Sequence, residues 1–212
     1  MIKIIIFDMD GVLVDSQPAH AEAYNLAFEK NNLQTFAADK IISLFGPPAS
    51  KVIKLLFPNM TDRKLKGVIK DKNDFLLDRT FMRTKSISGA AVSLAKLKKE
   101  YKLALVTNAE RGEIYQLLKS GNIDARLFDA TIGANDIPKQ KPDPSVVKLV
   151  EDLLKGQVEY VVGDRVEDMK LAKNADVKAI AIDSGSEELD DLSDAGADII
   201  VKSVALLPEI LL

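Results

Sequence analysis

Residues 2–7 read Ile-Lys-Ile-Ile-Ile-Phe, apolar apart from Lys3, and the run stops at Asp8-Met9-Asp10-Gly11. A short continuous apolar run closed by turn residues predicts a strand buried on both faces. Runs at 102–107, 130–133, 159–163 and 178–182 predict four more, and 198–201 a sixth. Helical patterns fall between them. Residues 90–100 open after Gly89. Residues 110–120 place Ile114, Leu117 and Leu118 on one face and stop at Gly121, the expected cap of that helix. Residues 144–155 begin at Pro144, suited to a first turn, and set Val146, Val147, Val150, Leu153 and Leu154 at helical spacing before Gly156. Strand alternating with helix predicts βαβ units and a doubly wound, Rossmann-like α/β core on a parallel sheet.

Residues 16–84 break that alternation. No buried-strand run occurs there. Ser16 is expected to cap a helix reaching Asn31, with Tyr24 and Phe28 four apart on one face. A short helix ending at Gly46, another over 48–57 and a longer one from Thr61 to about Arg83 complete the block. The expected organisation is an α/β catalytic core of residues 1–15 and 85–212 with an all-helical cap domain of residues 16–84 inserted after the first strand. The chain shows no internal repeat and no low-complexity tract.

Composition narrows the chemistry. The 212 residues are 47% hydrophobic and 29% charged, ordinary for a globular protein and enough for a core plus a smaller insertion. The net charge of −3 and pI of about 5.4 provide no broad basic field for nucleic acid. The Lys64–Lys72 stretch is interleaved with acids and reads as a solvated helix face. With no cysteine, disulfides, thiolate catalysis and thiolate-bound zinc are excluded. One histidine, His20, excludes a multi-histidine metal site and disfavours a Ser-His-Asp triad. Carboxylates and lysines remain, and they suit a hard, oxygen-loving cation. No apolar run approaches membrane-spanning length and no leader-like segment precedes the first strand, so a cytoplasmic monomer without membrane partners is expected.

The polar residues collect at strand ends, where open α/β sheets bind ligands. Asp8 and Asp10 follow the first strand, Thr107 and Asn108 the second, and Asp164 and Asp168 the 159–163 strand. Lys141 lies in the polar loop 138–144. Each has a plain structural explanation. Asp after a strand forms turns, Thr107-Asn108 is a common strand-to-loop pair, Lys141-Pro142 suits a surface loop, and Asp164 with Asp168 would complement a helix N-terminus. Together they make chemical sense. Clustered carboxylates repel, and burial raises their pKa values. Mg²⁺ relieves that penalty while sharing a substrate phosphate, which Lys141 and Thr107 would also hold. One carboxylate can then attack phosphorus while another moves the proton.

These motifs resemble the haloacid dehalogenase superfamily. Asp8-Met9-Asp10-Gly11-Val12-Leu13-Val14-Asp15-Ser16 is similar to its first motif, Thr107-Asn108 to its second, Lys141-Pro142-Asp143-Pro144 to its third, and Gly163-Asp164-Arg165-Val166-Glu167-Asp168 to its fourth. The helical block resembles the family's cap. The subgroup it looks most like holds phosphoglycolate phosphatases, pyrophosphatases and β-phosphoglucomutases. The resemblance implies Asp8 as nucleophile and Asp10 as general acid/base that also offers its backbone carbonyl to Mg²⁺. It implies Asp8 and Asp164 as carboxylate ligands with Asp168 beside them, Thr107 and Asn108 on the phosphoryl oxygens, and Lys141 offsetting transition-state charge. The implied substrate is a small phosphorylated metabolite, with cap closure excluding water during the first step.

Several residues depart from the family pattern or leave two readings. Arg165 stands where many relatives have Ser or Thr, and pairs with Glu167 or reaches substrate. Asn174-Ala175-Asp176 replaces an Ala-Gly turn, a change expected to alter backbone rather than chemistry. His20, one turn beyond Ser16, either binds substrate and handles protons, as in β-phosphoglucomutase-like relatives, or packs within the cap. Lys51, Lys54 and Arg83 are solvated or contact substrate. The segment Gly46-Pro47-Pro48-Ala49 lacks the Arg of a sugar-phosphate mutase, which favours a phosphatase over a mutase. Asp10 disfavours dehalogenation. A non-catalytic receiver-like module is the rival from another class, disfavoured by Asp10 and by the helical insertion.

Overall fold

The computed structural model describes residues 2–212. Met1, the first residue of the expected core, lies outside them. The chain divides into two compact units, one of residues 1–15 and 85–212 and one of residues 16–84.

The first unit is α/β. Its strands are β1 (Lys3–Phe7), β2 (Val14–Asp15), β3 (Lys85–Ser86), β4 (Lys102–Val106), β5 (Ala130–Ile132), β6 (Gln157–Gly163), β7 (Lys178–Ile182) and β8 (Ile199–Val201). Six of them form one parallel sheet in the order β5-β4-β1-β6-β7-β8. From β1 the chain builds outward to β5, then returns to β6 and builds outward the other way, so the strand order reverses at β1. Residues Ile4 to Phe7 are at most 1% exposed, as a strand covered on both faces requires. Ile4, Ile6, Ala104, Val106 and Val161 pack with Val146, Val150 and Met169 in one apolar cluster.

The second unit holds α1 (Gln17–Lys30), α2 (Ala38–Ile42), α3 (Ala49–Leu56) and α4 (Asp62–Asp78), then a 3-10 turn at Thr80–Arg83. Its core is aromatic. Phe28 meets Phe57 with ring centroids 5.1 Å apart, and Tyr24 and Phe28 are 5.9 Å apart on one face of α1. Back in the α/β unit are α5 (Ala90–Leu97), α6 (Arg111–Ser120), α7 (Ser145–Leu154), α8 (Val166–Asn174), α9 (Leu189–Ala195) and α10 (Leu207–Leu211). No described helix is long and apolar enough to cross a membrane.

Several local expectations are corrected. The short helix α2 ends at Ile42, and Gly46 lies beyond it with φ +115°. The long helix stops at Asp78, where the 3-10 turn begins. Thr61 caps α4 by accepting from Lys64 N, but Ser16 makes no side-chain capping bond to α1. Lys72 is not solvated: it is 4% exposed, with Nζ 5.8 Å from the centre of the Tyr24 ring. Gly121 does cap α6 as expected, at φ −74°, and the positive φ of +55° falls on Asn122. Glycine is needed there for space, since a Cβ would lie 2.3 Å from Val14 Cγ1. Strands β2 and β3, too short to read in the sequence, pair antiparallel as Val14 with Ser86 and Asp15 with Lys85. That ribbon joins the points where the chain leaves and re-enters the α/β unit.

Two glycines separate the effects of space and backbone freedom. Gly67, inside α4, has open space where a Cβ would stand. Gly67→Ala should therefore raise stability by roughly 0.5–1 kcal/mol through helix propensity and reduced unfolded-chain entropy. Gly121→Ala should lower it by about 1–3 kcal/mol through overpacking against Val14. Urea unfolding of both variants checks the pair.

Candidate active site

The site is built where the strand order reverses. Asp8 follows β1, Thr107 follows β4 and Asp164 follows β6, so the three central strands deliver a carboxylate, a hydroxyl and a second carboxylate to one edge of the sheet. Backbone pairing continues one residue past each of the first two strands. Asp8 N donates to Val162 O at 2.8 Å and Thr107 N to Ile132 O at 3.1 Å. Both side chains thus inherit the rigidity of the sheet.

After Asp8 the chain turns sharply. Leu13 N donates to Met9 O and Gly11 N to Val14 O. Gly11 has φ +76°, and a Cβ on it would lie 2.0 Å from Asp164 Oδ2. Only glycine allows both the left-handed backbone and the carboxylate lying against it.

Three carboxylates meet here. Asp8, Asp164 and Asp168 are 7%, 2% and 1% exposed, and each offers an oxygen within 4.8 Å of the others'. Lys141 enters between them, with Nζ 2.7 Å from Asp8 Oδ1 and 2.6 Å from Asp168 Oδ1. The two parts of its loop are anchored from opposite sides. Lys141 carries the ion pairs, and Asn174 Nδ2 donates to Pro142 O at 3.0 Å from the end of α8. Asp176 then takes the left-handed turn after α8, with φ +55°. The Asn174-Ala175-Asp176 departure thus acts on backbone geometry. Asp168, in the first turn of α8, also accepts from Arg165 N through Oδ2.

The electrostatics are unbalanced. Burial first, then the charge of Asp8, push Asp164 from an ordinary 3.8 up to about 6, against a bond from Ser184. Burial also pushes Asp168 up, opposed mainly by Lys141. Burial alone would lower Lys141, but the charges of Asp168 and Asp8 outweigh it and hold the ammonium protonated. Fully ionised, three carboxylates against one ammonium would carry a surplus of two negative charges, and burial together with that repulsion favours keeping protons on Asp164 and Asp168. Asp164 Oδ1 is also buried without a hydrogen-bond partner among the described residues. An all-oxygen donor set with an orphaned carboxylate oxygen fits a hard divalent cation.

Thr107 is 3% exposed, and its Oγ1 accepts from Ala109 N at 3.1 Å, which leaves the hydroxyl's own O–H to donate to a ligand. Asn108 follows in the same loop. Asp10 is half-buried and bridges Val14 through the backbone. His20 belongs to the helical unit, where it lies on α1 edge-on to Phe45 at 6.1 Å. In the same unit Lys54 pairs with Asp62 and Arg83 with Glu22, while Lys51 is exposed. Arg165 has partners the sequence spacing does not suggest: its Nη1 donates to Glu187 Oε1 and to Ser186 O, each at 3.3 Å. Ser184, which donates to Asp164 Oδ2 at 2.6 Å, was missed by the sequence reading. It follows β7, so applying the strand-end rule to one more strand would have found it.

Comparison with known proteins accords with this geometry. The family model described as haloacid dehalogenase-like hydrolase matches residues 5–182. A protein of Caldanaerobacter subterraneus provisionally named a pyrophosphatase, PpaX, is 30% identical over 85% of this chain and 81% of its own length. A phosphoglycolate phosphatase of Cereibacter sphaeroides is 29% identical over 82% of each chain. Among solved structures, one from Thermotoga maritima provisionally named a β-phosphoglucomutase superposes with a TM-score of 0.78 at 26% identity, over 99% of this chain and 98% of its own.

The raised Asp164 yields a linkage prediction. Between about pH 4 and 6 the folded protein keeps a proton that the unfolded chain has released. That contribution to stability is full below the unfolded value and lost as pH rises through the folded one. A shift of about two units corresponds to roughly 3 kcal/mol. A divalent cation removes the penalty, so added Mg²⁺ should raise the melting temperature more at pH 7.5 than at pH 5, as differential scanning fluorimetry would show.

Proposed function

The chain belongs to the haloacid dehalogenase-like hydrolase family, and from that premise we propose that it is a Mg²⁺-dependent phosphatase acting on a small phosphomonoester through a phosphoryl group carried on Asp8. The observation that carries this reading is the buried set of Asp8, Asp164 and Asp168 around the Lys141 ammonium, at the strand-order reversal of the sheet. Asp8, Asp164 and Asp168 would hold the cation with the backbone of Asp10, and the cation would supply positive charge to the phosphoryl oxygens.

The steps belong to the chain's own residues. A carboxylate oxygen of Asp8 attacks phosphorus and forms a P–O bond as the ester P–O bond breaks. Asp10 gives its proton to the departing alkoxide, which leaves as an alcohol. Asp10, now a carboxylate, takes a proton from water as that water attacks the aspartyl phosphate. Inorganic phosphate leaves and Asp8 is regenerated. Thr107 O–H and groups near Asn108 bind the phosphoryl oxygens. Lys141 offsets the negative charge that gathers in the transition state.

The substrate class follows the relatives' names. A phosphatase of the phosphoglycolate kind is the first choice, because one such relative matches over most of both chains. A sugar phosphomutase is the second, favoured by the Thermotoga maritima neighbour, and disfavoured by the absence of an Arg just after Gly46. A receiver-like role has no use for an acid/base at Asp10.

Phosphate release from a panel of phosphomonoesters, phosphoglycolate and glucose phosphates included, tests the reading. Turnover should require Mg²⁺ and fall at least about a thousandfold in Asp8→Asn. Asp10→Asn should cost about a hundredfold or more by slowing proton transfer. Undiminished turnover in Asp8→Asn would sink the nucleophile assignment. A native phosphoenzyme whose decay, followed by acid quench at successive times, is faster with an added sugar phosphate than in water alone, with the phosphoryl group recovered on the sugar, would select the mutase.

A further inference from the structure

The loop after β7 holds a group that the proposed chemistry does not use. Ser184 Oγ donates to Asp164 Oδ2 at 2.6 Å, a short bond of the charge-assisted kind, and accepts from Ser186 N at 3.2 Å. The hydroxyl is therefore fixed from both sides. Arg165, next to Asp164 in sequence, reaches back to the same loop through Ser186 O and Glu187 Oε1. Asp164 thus has its two oxygens in different states. Oδ2 takes the Ser184 bond and lies against the Gly11 backbone, whereas Oδ1 is buried with no partner among the described residues.

We infer that Ser184 is a positioning residue for the metal centre: by occupying Asp164 Oδ2 it fixes the carboxylate plane and leaves Oδ1 as the single oxygen presented to the cation. Arg165 supports it by clamping the loop. This inference rests on the magnesium reading above. Its physical basis is rotational. A carboxylate bonded through one oxygen has one orientation available, whereas a free one rotates and presents either oxygen. Partners of metal-binding carboxylates commonly matter nearly as much as the ligands themselves. The side chain of Ser184 is exposed although its hydroxyl is engaged, so replacing it leaves the core undisturbed.

The test is Mg²⁺ titration by isothermal calorimetry at pH 8, in phosphate-free buffer, on the wild type, Ser184→Ala and Ser184→Thr. Ser184→Ala should weaken Mg²⁺ binding by about tenfold. Ser184→Thr, which keeps the hydroxyl, should bind within about threefold of wild type. The three metal-free proteins should each unfold in one cooperative transition, with Ser184→Ala melting at most modestly lower for its lost hydrogen bond, which separates loss of positioning from loss of structure. Wild-type affinity in Ser184→Ala overturns the assignment, as does equal weakening in both variants. If the wild type binds no Mg²⁺, the magnesium reading fails first and takes this inference with it. If the wild type binds and Ser184→Ala matches it, only the positioning role fails.

Discussion

Lys141 is the charge around which the site is organised. It is 4% exposed along its side chain and stands between two carboxylates that are 9% and 1% exposed. Withdrawing three such charges from water is expensive, and a buried ion pair seldom repays the cost as stability alone. Here one ammonium holds together three distant segments, namely the end of β1, the loop before α7 and the first turn of α8. The surrounding backbone serves the same arrangement. Asn174 fixes Pro142 beside the lysine, and Arg165 N fixes the second oxygen of Asp168. So costly a cluster, with excess negative charge once fully ionised, is better explained by a ligand it must receive than by folding.

Topology explains why that charge sits where it does. β1 lies in the middle of the sheet with β4 on one side and β6 on the other, so Asp8 is flanked by the residues that follow both neighbours. The register of those pairings runs to the last residue of β1, Phe7 with Leu105 and Phe7 with Val162. A nucleophile placed there has a fixed backbone and a side chain free to meet groups from two other strands. The sharp turn at Met9 to Val14 then lifts the chain away before it can fill the crevice. Glycine at position 11 lets the turn pass beneath Asp164.

Much of this was legible in the sequence because its causes are local. Buried parallel strands advertise themselves as unbroken apolar runs, and each of the six expected segments contains a strand. The candidate residues Asp8, Thr107 and Asp164 were legible as a set because each follows a strand of the sheet. What escaped has non-local causes. The β2–β3 ribbon is two residues long on each side and exists only because its partners are seventy positions apart. Lys72 reads as solvated from its neighbours' charges, yet its ammonium lies over the Tyr24 ring of α1. Arg165 pairs with Glu187, brought near by the return of β7, where the sequence offered Glu167 or a substrate. Gly121 caps α6 as the rule for helix ends expects, but the second demand on it, the closeness of Val14 in β2, is non-local.

The same reasoning separates what the α/β unit decides from what it leaves to the rest of the chain. A phosphatase and a phosphomutase need the same nucleophile, acid/base and cation, so every residue discussed at the strand ends serves either outcome. They differ in which hydroxyl meets the phosphoenzyme second, that of water or that of a sugar. On the proposed chemistry that choice belongs to residues that bind the organic part of the substrate. In this chain the helical unit of 16–84 spends its aromatic residues on its own core, with Tyr24, Phe28, Phe36, Phe45 and Phe57 in ring contact with one another. Its cations Lys30, Lys54 and Arg83 are engaged in ion pairs within the unit. On the proposed chemistry, a second anionic or polyhydroxyl end, whether a glycolate's or a sugar's, would have to be met by cations outside those pairs, such as Lys51, exposed on α3.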